Sequence, residues 1–441
     1  MLEPVLNPMK IAVLGAGWAG MAASVAATQA GHSVVVFEAS RTLGGRARAL
    51  NPQTLPNGRP VTLDNGQHIL IGAYSQTLRL MRQVGVEPAS AFLQQPMTLL
   101  FPDGLGLRFG HGPAPLDALA GILSARGWTW ADKASLLRAS IAWRLAGFKC
   151  ETHTTVAQLC QGLRPRVLNE LITPLCVSAL NTPPERASAQ VFLRILQDAL
   201  FGVTGGSRLL LPRLDLSELF PHAAAHWLVS QGGEVRLGAR IDTLKQQGAQ
   251  WQIEGNRFDA VIVATSSTEA VRLLSNSLTN TPETLAKTIR HWIHIAQGLT
   301  FEAITTVYAW APDARLPHPM LTLRCDEAGA PAQFVFDRGQ LGGPPGLLAF
   351  VVSASLGERL DLQARVLTQA RAQLGLSLQA VQTIVEKRAT FACTPGLLRP
   401  AQEIAPGLLV CGDYVAGPYP ATLEGAVRSA LLAVQALPSA N

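Results

Sequence analysis

The stretch from Lys10 to Glu38 constrains this chain more than any other. Residues 10–14 (KIAVL) form a short apolar run suited to a strand buried on both faces. It leads directly into Gly15, Gly17 and Gly20 in G-x-G-x-x-G spacing, then into an Ala-rich helix to about Ala30, closed by Gly31 and His32. Ser33 to Phe37 reads as a second buried strand with Glu38 at its tip. Each position has a physical reason. Gly15 permits the tight turn, Gly17 lets the backbone approach a pyrophosphate, and Gly20 lets helix and strand pack closely. Ala16, Trp18 and Ala19 complete the turn, where free N–H groups and the helix dipole hold phosphates. Glu38, eighteen residues after Gly20 and followed by Ala39, can accept from both hydroxyls of a ribose. Strand, turn, helix, strand and acid in this order predict an α/β, Rossmann-like dinucleotide-binding domain. The motif alone leaves NAD and FAD both open.

Composition bounds the rest. A chain of 441 residues is too long for one simple core, so two domains are expected. No window holds eighteen uncharged apolar residues, which predicts no transmembrane helix. The first eight residues lack the positive start and apolar core of a signal peptide. Six scattered cysteines without a C-x-x-C argue against a disulfide framework and a zinc site, and for a reducing cytoplasm; no metal is expected. The net charge of +6 comes without a Lys/Arg-rich run, so nucleic acid is not an expected partner. A mildly basic, apolar protein is equally compatible with an ordinary cytoplasmic enzyme and with one resting on an anionic membrane.

Gly44, Gly45 and Arg46, just past the acid, resemble the G-G-R signature of the amine oxidase and phytoene desaturase flavoprotein superfamily. The resemblance selects FAD. It implies that the second glycine pair lies under the pyrophosphate, with Arg46 bracing it. It implies that Asp64-Asn65-Gly66-Gln67-His68 crosses close to the flavin ring, and that Val235 clamps the adenine side while Ala264 closes the lobe. Gly412-Asp413 is implied to hold the ribityl and pyrophosphate. The helix opening at Thr422-Leu423 is implied to point its N-terminus at the flavin. The fold then expected is a three-layer FAD-binding domain around a parallel sheet, built from residues 9–75, 205–265 and 405–437. An inserted mixed α+β substrate domain is expected from 76–204 and 266–404, with flexible termini at 1–8 and 438–441. Within these, Met97 to Phe109 reads as sheet, and Leu116 to Phe148 and Leu159 to Leu200 as helical and apolar, interrupted by prolines. Leu209–Pro212 reads as loop and Leu216–Gln231 as helix. Glu234–Leu237 reads as a strand, Ile241–Leu244 with Gln250–Ile253 as a hairpin, and Phe258–Thr265 as a buried strand. No second G-x-G-x-x-G follows a strand, so no separate NAD(P)H domain is expected and an external reductant or other redox partner is needed.

Amine oxidases carry a flavin-facing Lys in the strand that corresponds to Leu299–Trp310, and a Tyr at the position of Thr422; this chain has neither. Over nearly its whole length it resembles instead the hydroxysqualene dehydroxylase family, squalene-associated FAD-dependent desaturases. The segments that carry this are 63–72, 174–184 with 187–189, 211–213 with 216–220, 412–414 and 419–425. The resemblance implies reduction of hydroxysqualene to squalene in hopanoid synthesis, with hydride from reduced flavin. It also implies an apolar C30 alcohol substrate, a peripheral site on the inner face of the cell membrane, and contact with the synthases that make the substrate. The other readings are a carotenoid-type desaturase, an amine oxidase and a non-catalytic flavin carrier. A departing hydroxide needs a proton. The donors expected near the flavin are Asp64, His68, Tyr414, Tyr419 and Glu424. Glu424 reads as balancing the dipole of its own helix, and Asp64 as serving the turn at Asn65-Gly66. His68, with an unperturbed pKa near neutrality, is the foremost candidate.

Overall fold

The computed structural model describes residues 8–112, 114–279, 281–326 and 329–437. The termini expected to be flexible, 1–8 and 438–441, lie outside the described residues except for Pro8. Strands β1 (Lys10–Leu14) and β2 (Ser33–Glu38) flank helix α1 (Trp18–Gln29). Successive strand residues face opposite ways. Ile11, Val13, Val34 and Val36 bury in the core that includes α1, whereas Ala12, Leu14, Val35 and Phe37 bury in a second core on the other face. Strands apolar on both faces belong inside a covered sheet. That sheet adds β3 (Glu234–Leu237), β4 (Ala260–Val263), β5 (Glu403–Ala405) and β6 (Leu408–Val410), in the order β3-β2-β1-β4-β6-β5. All neighbours run parallel except β5 against β6. Helices Pro221–Ser230 and Leu423–Gln435 join α1 on one face. On the other, Trp251, Ile253 and Phe258 belong to the core that contains Val261 and Val263.

Those aromatic and apolar residues come from a three-stranded antiparallel meander: Lys245–Gln247, Gln250–Ile253 and Asn256–Phe258. The expected hairpin strand Ile241–Leu244 is thus displaced to Lys245–Gln247, and Phe258 closes the meander instead of opening β4. Leu209–Pro212 is a buried strand, not a loop, pairing with Leu70–Ile71 and Phe92–Gln95. The expected helix at 216–231 breaks into Leu216–Leu219 and Pro221–Ser230.

A five-stranded antiparallel sheet forms the second layer system. Its order is Met320–Thr322, Phe334–Asp337, Leu347–Ser353, Phe301–Trp310, Gln379–Phe391. The thirteen-residue strand Gln379–Phe391 has no counterpart in the sequence reading, because Glu386, Lys387 and Arg388 interrupt its alternation.

The helical insert begins with α2 (Ala114–Ser124) and α3 (Trp130–Leu145). A capping box opens α3: Thr129 Oγ1 accepts from the Asp132 amide at 3.2 Å, and Asp132 Oδ2 accepts from the Thr129 amide at 2.9 Å. From 156 to 202 the chain is a series of short helices that includes two π-helical turns, Leu168–Ile172 and Asp198–Gly202. Pro165 falls in a first turn, where no N–H is needed, and starts its helix there, whereas the helix of Pro174 follows directly on the π-helical turn Leu168–Ile172.

Two elements assigned by sequence to the substrate side attach to the cofactor side. Ser75–Gln83 packs on Leu423–Gln435. Ser267–Ser277 is tied to the 240–242 loop by the Arg240–Glu269 and Arg272–Asp242 ion pairs, both 2.7 Å. Among the described residues no helix is long and apolar enough to cross a membrane.

Candidate active site

A single cavity of about 1020 Å³ runs from the glycine-rich turn into the helical insert. That is the upper end of the usual range for ligand sites. Gly15, Gly17, Trp18, Ala19, Glu38, Ala39, Gly44, Gly45, Arg46, Gly66, Gln67, His68, Ala264, Gly412, Asp413, Thr422 and Leu423 all line it.

The turn suits a pyrophosphate. Gly15 has φ +108°, and a Cβ there would lie 2.7 Å from the Ala264 carbonyl oxygen. A Cβ on Gly20 would lie 1.8 Å from the Gly15 carbonyl oxygen, so Gly20 works as helix–turn packing and does not line the cavity. Gly17 differs: the nearest atom to a Cβ there is Gly45 Cα at 3.8 Å, and the open side is the cavity. Helix α1 has neither a capping side chain nor an acid in its first turn, leaving its N-terminal N–H groups available to an anion.

Glu38 is already engaged by the turn. Its Oε2 accepts from the Ala16 amide and its Oε1 from the Ser40 amide, both at 2.7 Å. Ala16 therefore acts by fixing the acid and does not line the cavity. Each carboxylate oxygen keeps a lone pair for a ribose hydroxyl. Arg46 bridges three segments that are remote in sequence. It pairs with Asp413 and donates to the Ala389 carbonyl at 2.8 Å. Val235, like Ala16 and Gly20, does not line the cavity, and it is remote from the turn as well. It pairs with Val36 in the edge strand β3, away from the cavity, while Ala239 and Ile241 of the following loop line it.

The five proton-donor candidates separate clearly. Asp64 is buried and off the cavity; its Oδ1 accepts from the Leu216 amide at 2.8 Å, so it holds the start of a short helix and not the Asn65-Gly66 turn. Glu424, also buried, caps a neighbouring helix and not its own: it accepts from the Gln76 amide at 3.1 Å and from the Thr77 amide at 2.9 Å. It also accepts from Arg428 at 2.7 Å. Tyr414 is buried away from the cavity lining with its ring against Gly412, and its hydroxyl has no hydrogen-bond partner among the described residues. Tyr419 lines the cavity, donating to Asp198 Oδ2 at 3.0 Å and accepting from Arg194 at 3.1 Å.

His68 lines the cavity too, with Nδ1 3.0 Å from the Gly66 carbonyl oxygen. A carbonyl only accepts, so Nδ1 carries the hydrogen and neutral His68 presents a bare Nε2. Burial chiefly, with Arg46 adding to it against the Gly66 bond, holds the imidazole pKa below its ordinary value. The shift favours the uncharged ring.

Asp64 yields a pH prediction. Burial pushes its carboxyl from 3.8 up to about 6, against the opposing Leu216 bond. The folded state then keeps this proton at pH values where the unfolded chain has released it. Its ionised form is penalised above about 6, and the penalty disappears as pH falls below the unfolded value. A shift of roughly two units corresponds to about 3 kcal/mol. Asp64→Asn is expected to remove that slope and to match or exceed the parent in stability above about pH 6. Urea unfolding on either side of that pH tests this; a variant with the parent's slope would refute it.

Two polar residues of the site were not singled out by the sequence. Asp198 lines the cavity from a π-helical turn and pairs with Arg194 at 3.0 Å, joining the insert to Tyr419. Glu386 lines it from the unforeseen strand Gln379–Phe391. The signal available for Asp198 was Arg194 at i−4, a helical ion-pair spacing.

The family model described as flavin containing amine oxidoreductase matches residues 18–438. The chain is similar to hydroxysqualene dehydroxylase of Zymomonas mobilis, 24% identical over 445 residues and covering 95% of this chain and 96% of the relative. The protein of the same name from Sinorhizobium fredii is 26% identical over 451 residues, covering 96% of each chain. Among solved structures, an oxidoreductase from Methanosarcina mazei shares the fold with a TM-score of 0.70 at 14% identity, over 97% of this chain and 100% of that one. Because the family match runs from the start of α1 through the helical insert to the Gly412-Asp413 strand end and beyond, the chain belongs to the flavin-containing amine oxidoreductases and is an FAD-dependent oxidoreductase.

Proposed function

We propose that this chain reduces hydroxysqualene to squalene, a step in hopanoid triterpenoid synthesis. The observation that carries the reading is the cavity's change of character along its length. It starts at Gly17 and Glu38, passes His68, and ends among Ile122, Leu136, Trp143, Leu171 and Ile195 of the insert. A long apolar chain with one polar group near the flavin is the ligand that such a lining fits. Similarity to hydroxysqualene dehydroxylases along both full lengths supports the same substrate.

The net reaction breaks a C–O bond and forms a C–H bond, consuming a hydride and a proton and releasing water. When bound, reduced FAD supplies the hydride. The protein's share is to hold the hydroxyl, exclude water and deliver the proton. The apolar insert excludes water that would recapture an allylic cation. Tyr419 is held between Arg194 and Asp198, and the Glu424 carboxylate is taken by the Gln76 and Thr77 amides and Arg428, which leaves His68 Nε2 as the hydroxyl's partner. Protonated His68, made more acidic by burial and Arg46, gives its proton to the leaving oxygen readily. An external reductant reloads the flavin.

Anaerobic incubation of the purified protein with hydroxysqualene and reduced FAD is expected to yield squalene, identified by mass spectrometry. A product carrying an extra double bond would replace this reading with carotenoid-type desaturation. A flavin-loaded protein that converts nothing would remove it.

A further inference from the structure

The outer faces of α2 and α3 are apolar and uncovered. On α3, Trp130, Ala134, Arg138, Ile141 and Leu145 recur at helical spacing along one exposed stripe. Trp130 is 75% exposed, Ile141 60% and Leu145 83%. On α2, Leu116 is 64% exposed, and Leu119 and Leu123 beside it are exposed as well. Phe201 and Val203, in and just after the second π-helical turn, extend the patch. A soluble surface rarely gathers so many large apolar side chains without a use for them.

The patch is continuous with the cavity. Leu119, Ile141 and Phe201 are exposed and also line the cavity wall. Whatever covers the patch therefore also meets the mouth of the substrate space.

Charge indicates what covers it. Between 114 and 149, Arg126, Arg138, Arg144 and Lys149 are exposed, whereas the acids of that span, Asp117 and Asp132, are not. Two cations sit against aromatic rings of the patch: Lys133 lies 5.1 Å from the Trp130 ring centroid and Arg144 lies 5.2 Å from that of Phe201. Large apolar side chains flanked by cations suit acyl chains beneath anionic headgroups.

We infer that the exposed α2–α3 face, with the π-helical turn at 198–202, seats the protein on an anionic lipid bilayer and opens its cavity toward the acyl layer. The inference extends the proposed function: a thirty-carbon alcohol partitions overwhelmingly out of water into lipid, so such a substrate reaches the mouth from the bilayer.

The test is flotation of the flavin-loaded protein with vesicles of phosphatidylcholine, with and without phosphatidylglycerol. The parent is expected to float with the anionic vesicles, less at high salt. Trp130→Ser with Leu145→Ser should lower the bound fraction about tenfold or more, since two large apolar side chains no longer enter the lipid. Arg138→Glu with Lys149→Glu should abolish the preference for anionic vesicles. None of these four residues lines the cavity, so both double variants should keep the parent's turnover on detergent-solubilised substrate. Flotation needs no substrate and detergent turnover needs no vesicle, so docking and dehydroxylation can fail separately. The inference is overturned if the parent does not float, if the serine variant floats as well as the parent, or if the serine changes only convert a dimer to a monomer without altering lipid binding.

Discussion

Gly17→Val is expected to yield folded, colourless protein. The position has φ −76°, which any residue adopts, and a Cβ there meets nothing closer than 3.8 Å within the chain. The added methyl groups therefore enter the cavity, over the uncapped first turn of α1, and occupy the space that a pyrophosphate needs. Folding should survive while flavin binding is lost. Gly20→Ala is the contrast. Its Cβ would stand 1.8 Å from the Gly15 carbonyl oxygen, so turn and helix must separate and the protein should be insoluble or unfolded. Circular dichroism and flavin absorbance on the two purified variants distinguish these outcomes. Gly17→Val protein with a full complement of flavin would disprove the assignment of the turn as the pyrophosphate seat.

His68→Ala should keep its flavin and lose turnover by about 10²–10⁴-fold, the range for removing a general acid. The pH profile carries the sharper information. Burial and Arg46 hold the His68 pKa below its usual value, so the protonated form becomes scarce as pH rises through that lowered pKa. Turnover in the parent should climb toward the acid side, and His68→Ala should flatten that limb. A His68→Ala enzyme with full flavin and the parent's rate and profile would rule out His68. Tyr419→Phe would then be tested next, because Tyr419 also lines the cavity and carries a hydroxyl proton.

Backbone conformation and local packing were legible from residue order alone. Gly15, Gly17 and Gly20 differ from one another by what a Cβ would strike, and their spacing already encodes that difference. The double-faced apolar runs of β1 and β2 required a covered sheet, and Gly412-Asp413 at the end of β6 returned to the same cleft. The helical, Trp-bearing insert was legible as apolar. Whether those side chains form core or surface was not, since helical periodicity gives a stripe without naming what the stripe meets; Trp128 and Trp143 are buried whereas Trp130 is exposed.

Partners far apart in the chain were decided by tertiary structure. Asp64 and Glu424 each sit where a local role is plausible, beside a turn and in a helix first turn. Each instead satisfies amide groups of an element 152 or about 347 residues away. A buried carboxylate binds the unsatisfied N–H groups that packing brings to it, and sequence spacing carries no record of that meeting. The same holds for Leu209–Pro212, whose run of three leucines and a proline fits loop or strand equally until two neighbouring strands supply the hydrogen bonds. It also holds for His68. The residue type was legible, but the tautomer and the lowered pKa come from the Gly66 carbonyl, the burial and Arg46, none of which exists before the chain is folded.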